Sequence, residues 1–123
     1  MSKSIGNTVE PQTVIEQSGA EVLRLWVAMV DYQEEVKIGQ EILARVIEAY
    51  RKIRNTLRIL VANLYDFDPT IDALQNDQLQ EVDRYALALY GQVTTRVLQA
   101  YDRYEFQSAV HALNHYLTVD LSA

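Results

Sequence analysis

Glu41-Ile-Leu-Ala-Arg45-Val-Ile-Glu-Ala-Tyr50-Arg-Lys-Ile-Arg54-Asn-Thr-Leu-Arg58-Ile-Leu-Val-Ala-Asn63-Leu64 contains neither proline nor glycine and is built from residues that tolerate a helix well. Val46, Tyr50, Ile53, Leu57, Leu60 and Leu64 follow one another at intervals of four, three, four, three and four, which sets them on one side of an α-helix. The spacing predicts a long helix over residues 40–65 with one apolar seam made to pack. Arg51, Arg54 and Arg58 keep the same three-and-four rhythm. At about 100° of rotation per residue their stripe runs beside the seam, so the arginines flank the packing face.

Between Glu41 and Asn63 stand five cationic side chains (Arg45, Arg51, Lys52, Arg54, Arg58) and two acidic ones, so the helix carries +3 in a chain whose net charge is −6. A basic stripe on an acidic chain suggests a local anion site, and planar guanidinium groups on a stiff helix suit phosphate or the edge of a base. The alternative is that the arginines pair with carboxylates of neighbouring helices and solvate one face.

Working outward, 123 residues suffice for one domain with a core and leave room for a small appended subdomain. Hydrophobic residues make up 49% and charged ones 23%, ordinary globular proportions that argue against disorder. The absence of cysteine removes any disulfide framework or thiolate zinc site and fits a reducing compartment. Apolar runs last only a few residues, far below the roughly 20 needed to span a bilayer. The first residues match neither a secretory nor a transit pattern. These features point to a cytoplasmic protein, or a piece of one, with no membrane partner. The acidic balance weighs against coating DNA but leaves room for RNA at one patch.

Residues 1–10 are polar, with Gly6 and Asn7 as turn residues. Pro11 suits the first turn of a short helix over residues 12–17 that Gly19 closes, and residues 20–30 form a second helix with Trp26 on its apolar face. The alternation Val36-Lys37-Ile38 predicts a short extended segment, after which Gly39 caps the long helix. Asp68-Pro69 ends that helix. Asp77 with Gln80 resembles a capping box opening the next. Val82, Ala86, Leu89, Val93, Val97, Ala100 and Tyr104 carry it to about Arg103, with Gly91 inside to admit a close neighbour. A further helix from Tyr104 or Glu105 is expected to bury Phe106, Val110, Leu113 and Leu117. Three helices on short connections imply an all-α, antiparallel bundle.

Val119 and Leu121 emerge at the end of the chain without a helix stop. This reads as a cut, and a bundle short of its next helix is expected to expose an apolar groove and to self-associate or be marginally stable. His111 and His115, four apart, lack the intervening Glu of a metalloprotease helix and any evident third ligand, so no metal site is assigned. The tyrosines at 85, 90, 101, 104 and 116 fall at helical positions where partial burial explains them. No catalytic triad, phosphate-binding glycine loop or carboxylate pair stands out.

Met1-Ser2-Lys3-Ser4, followed by Ile5-Gly6-Asn7, resembles the end of the Lys-Met-Ser-Lys-Ser loop of class I aminoacyl-tRNA synthetases without its first lysine. In order follow Gly19-Ala-Glu-Val-Leu-Arg-Leu-Trp26, Tyr50-Arg-Lys-Ile-Arg-Asn-Thr-Leu57, Asn63-Leu-Tyr-Asp-Phe-Asp-Pro69, Asp83-Arg-Tyr-Ala86, His111-Ala-Leu-Asn114 and Thr118-Val-Asp-Leu-Ser-Ala123. The series is similar to the isoleucyl family over essentially the whole chain. Two positions depart from the family's usual choice, Glu21 for Asp and Gly39 for Ser.

The resemblance implies three parts: the end of the ATP loop at 1–10, a stem-contact subdomain at 11–39, and a helical anticodon-binding domain from 40 to 123 that stops short. It implies a parent enzyme that joins isoleucine to its tRNA with ATP and Mg²⁺. Lys3 would be the catalytic lysine of the loop, bringing its ammonium to the ATP phosphates, with Met1, Ser2 and Ser4 shaping the nucleotide contact. The nucleotide fold and the later C-terminal region are missing partners, so the piece alone is expected to be inactive and to need no cofactor.

Carried over in the same way, Arg51, Lys52, Arg54, Asn55 and Arg58 would face the isoleucine tRNA, with Arg54 and Asn55 at the anticodon loop. Arg24, Trp26 and Lys37 would touch its inner corner, although a core role also suits Trp26. The rival reading is a helical protein-interaction bundle that binds no RNA.

Overall fold

A computed structural model describes residues 9–34, 36 and 38–122. Among these the fold is all-α, with helices α1 (Pro11–Ser18), α2 (Ala20–Met29), α3 (Gln40–Ala62), α4 (Glu81–Asp102) and α5 (Phe106–His115), and a π-helical turn over Tyr116–Asp120. Two compact units divide the chain, Met1–Arg51 and Lys52–Ala123.

In the first unit, Pro11 opens α1, where its missing N–H costs nothing. Gly19 closes the helix at φ +89°, its N–H bonded to the carbonyl of Ile15 at 2.9 Å. The same glycine starts α2, so α1 and α2 are separated by a single residue and pack on each other. Val14, Val22, Leu43 and Val46 are buried, Val22 to 1% exposure. The start of α3 thus belongs to this core, and Val46 holds the seam position read from the spacing. The predicted strand over residues 36–38 falls partly outside the described residues, and Val36 and Ile38 carry no assigned element.

In the second unit the capping box sits three residues beyond its expected place. Gln80 is the N-cap, and the Gln80 N–H donates to Oδ2 of Asp83 at 3.1 Å in a reciprocal pair. The box suits Gln80 because helical phase resumes only at Glu81, whereas residues 76–79 are occupied by turn. The α4–α5 corner is a Schellman motif: Glu105 N–H bonds the Ala100 carbonyl at 2.8 Å and Tyr104 N–H that of Tyr101 at 3.0 Å. The C′ position demands left-handed backbone, and Tyr104 adopts it at φ +60° where glycine would be usual. Its ring meets Phe106 edge-on at 6.2 Å, and Tyr101 meets the same ring at 5.3 Å, so aromatic packing holds the bend.

The core of this unit matches the expected one at Ala100 and Leu117 and differs from it elsewhere. Ala100, Ala109, Ala112 and Leu117 are buried, whereas Phe106 and Leu113 remain 37% and 39% exposed and Val82 is 66% exposed. α4 and α5 pack on each other, and three of these four buried residues are alanines, while the larger Phe106, Leu113 and Val82 stay exposed. Gly91 admits no neighbour: a Cβ added there would meet nothing within 4 Å. Leu57, Leu60 and Leu64, expected in the packed seam, are 51%, 42% and 56% exposed. Ile53, Leu57 and Leu60 instead line an apolar groove of about 410 Å³ with Tyr90, Val93, Val97 and Leu113. No described helix is long and apolar enough to cross a membrane.

Candidate nucleic-acid interface

α3 fixes the candidate residues by its own regularity. From Arg51 to Arg58 the helix rises about 10 Å, enough for several phosphates at the ~3.4 Å axial spacing of one strand. Arg51, Lys52, Arg54, Asn55 and Arg58 are all exposed. The described residues hold two ion pairs, Arg24–Glu21 at 3.5 Å and Arg45–Glu41, each between neighbours on one helix. Pairing of the stripe with carboxylates of other helices is therefore not seen among the described residues. Arg51, Lys52, Arg54 and Arg58 are exposed cations without a carboxylate partner among the described residues, a surface that favours an incoming anion.

Within the second unit the stripe is split by direction. Lys52 and Asn55 border a hollow of about 330 Å³ whose other walls are Thr56, Ile59, Leu117, Thr118 and Ser122. Arg54 and Arg58 do not line it. Thr118 and Ser122 were not singled out by sequence reasoning, because their place depends on the wide turn at Tyr116–Asp120, which no spacing rule signals.

Arg24 is exposed on α2 and engaged with Glu21. Trp26 is half-buried, and its Nε1–H is buried without an acceptor among the described residues. That unit also carries a hollow of about 370 Å³ with Glu10, Thr13, Gln17 and Gln40 on its rim. Met1, Ser2, Lys3, Ser4 and Lys37 lie outside the described residues. His111 and His115 are exposed on α5, and no group of three or more potential metal ligands occurs among the described residues.

Among the described residues, Asp68 is the one whose acidity departs clearly from the ordinary. The hydroxyl and then the backbone N–H of Thr70 hold its carboxyl below the usual value of 3.8. It lies in the turn after α3 and orders that turn, with no evident part in an anion site.

Residues 1–39 match the family model for class I tRNA synthetases (I, L, M and V). The full chain is 54% identical over 123 residues to the isoleucine--tRNA ligase of Geobacillus kaustophilus, 53% to that of Geobacillus thermodenitrificans and 52% to that of Geobacter sulfurreducens. Each match takes in all of this chain and 13% of the relative, so the chain spans about an eighth of the length of these proteins.

Proposed function

The chain is homologous along its whole length to one segment of the isoleucine--tRNA ligases, and from that premise we propose that it is the tRNA-binding segment of such an enzyme. The parent would join isoleucine to its tRNA with ATP and Mg²⁺ in the cytoplasm, and this segment would hold the RNA on the exposed cations of α3. The observation that supports the contact most directly is that Arg51, Lys52, Arg54 and Arg58 have no carboxylate partner among the described residues.

Fixed guanidinium groups beside an apolar helix face can clamp phosphate or stack on an unpaired base, the chemistry that single-stranded RNA loops offer. Arg54 and Asn55 would meet the anticodon loop, with Arg24, Trp26 and Lys37 toward the inner corner of the tRNA. Residues 11–39 would form the stem-contact part and residues 40–123 the anticodon-binding part. At the other end, Lys3 carries the ammonium suited to the ATP phosphates, flanked by Met1, Ser2 and Ser4. In the parent, bound ATP would supply the adenylyl group that activates the isoleucine carboxylate, with pyrophosphate as the leaving group. The isolated segment is expected to bind RNA without catalysing ligation.

The test is binding of this chain to an isoleucine tRNA transcript and to a non-cognate tRNA, at low and moderate salt, with Arg54→Ala alongside. Cognate preference that disappears in Arg54→Ala is the expected result. Equal, steeply salt-sensitive binding to both would leave only a backbone-contact role, and no binding at low salt would overturn the RNA reading.

A further inference from the structure

The hollow beside Lys52 and Asn55 joins two elements, and together they offer groups that neither presents alone. At about 330 Å³ it falls at the lower end of the ~300–1,000 Å³ found for small-ligand pockets, the size for one ring system. Ile59 and Leu117 supply apolar wall, and Leu117 is only 8% exposed, so that wall is anchored in the core.

The polar rim has a defined sense. Over Tyr116–Asp120 the helix widens into π geometry, with Leu121 N–H reaching the Tyr116 carbonyl at 2.9 Å. Thr118 donates its hydroxyl proton to the Asn114 carbonyl at 2.7 Å, and Ser122 donates its own to the Leu117 carbonyl at 2.6 Å. A hydroxyl has one proton to give, so what remains to each is acceptor capacity. Across the hollow, the Asn55 amide makes no hydrogen bond among the described residues, and Lys52 adds a cation.

Apolar wall for the face of a planar ring, acceptors for a donor on its edge, and an ammonium for an attached phosphate describe one kind of guest. We propose that the hollow takes a single unstacked nucleobase of RNA bearing an exocyclic amino group, that group turned to Thr118 and Ser122 and its phosphate to Lys52. The proposal rests on the RNA-binding reading above and gives it a subsite. A uracil, with carbonyls where the amino bases carry N–H donors, would set acceptor against acceptor on this rim.

The experiment titrates the whole chain, labelled for amide and methyl NMR, with tetracytidylate, tetrauridylate and cytidine monophosphate at low salt. Tetracytidylate should shift Ile59, Leu117 and Thr118 and bind about tenfold more tightly than tetrauridylate, the discrimination expected for one good base-edge contact. The isosteric Thr118→Val should abolish the preference, and Asn55→Ala, on an exposed helix face, should weaken tetracytidylate without unfolding the protein.

Equal affinity for both oligonucleotides, unaltered by Thr118→Val but still falling with salt, would overturn the base subsite and leave the RNA reading standing. Loss of all binding at low salt would overturn both. Cytidine monophosphate bound as tightly as the tetranucleotide would overturn the assignment to an RNA chain in favour of free nucleotide.

Discussion

Thr70 gives both its hydroxyl and its backbone N–H to the same carboxylate oxygen of Asp68, at 2.6 and 2.8 Å. Asp68 N–H in turn donates to Oδ2 of Asp72 at 2.8 Å, and the Asp68 carbonyl accepts from Ile71 and Asp72 N–H at 3.0 and 2.7 Å. The turn over Asp68–Asp72, which follows the end of α3 at Ala62, is therefore organised by the Asp68 carboxylate. Because its folded pKa lies below the ordinary 3.8, the turn's stabilisation is fully present above that value and is lost as pH falls through the lowered pKa. Carboxyl NMR should show Asp68 titrating below 3.8 in the native chain and closer to it in Thr70→Ala, with Thr70→Ser restoring the shift. An identical titration in Thr70→Ala would contradict this reading of the turn.

Gly91 lies inside α4, exposed, with open space where a side chain would stand. Alanine there would meet no atom and would restrict the unfolded chain, so Gly91→Ala should stabilise the protein by roughly 0.5–1 kcal/mol. Thermal or urea unfolding measures it. A destabilised variant would imply a neighbour at Gly91 in the folded protein.

Gly19 is the opposite case. Its φ of +89° is one that side-chain-bearing residues rarely adopt, and an added Cβ would approach Oε2 of Glu21 to 3.2 Å. Gly19→Ala should therefore cost on the order of 1 kcal/mol or more, chiefly through backbone strain at the α1–α2 junction. Chemical denaturation of Gly19→Ala, alone and paired with Glu21→Ala, separates strain from crowding, since only the crowding part is relieved by the second change.

Much of the fold was legible because punctuation is local. Pro11 and Gly19 act on their own backbone, so α1 and α2 end within a residue or two of where the sequence places them. The unbroken run after Gln40 likewise becomes α3. Burial in the second unit was not legible. Periodicity shows that Leu57, Leu60 and Leu64 share a face, but not whether anything covers it, and Ala109 and Ala112 carry too little hydrophobicity to announce a helix contact. The basic stripe could be read from spacing alone. The hollow beside it could not, because Thr118 and Ser122 line it with Lys52 and Asn55 from a distant part of the chain. Lys3 and Lys37 could be read as candidates through family resemblance, yet both fall outside the described residues.

Counterion release separates the cations of α3 from one another. Removing one side chain that neutralises a phosphate should reduce the slope of log K against log salt by about 0.7 on single-stranded RNA. Arg54→Ala and Arg58→Ala should each remove about that amount if the guanidinium meets phosphate, with binding weakened alike for every RNA. An arginine that stacks on a base behaves differently: affinity falls while the slope barely moves, because no counterion is released from a nucleobase. Arg45, already engaged with Glu41 one turn away, provides the internal standard, and Arg45→Ala should change neither quantity appreciably. Equal slope changes for Arg45, Arg54 and Arg58 would mean that the RNA senses only the net charge of the helix. In that case the exposed, unpaired position of Arg54 and Arg58 would confer no advantage over Arg45, and specific placement of the stripe would no longer explain binding.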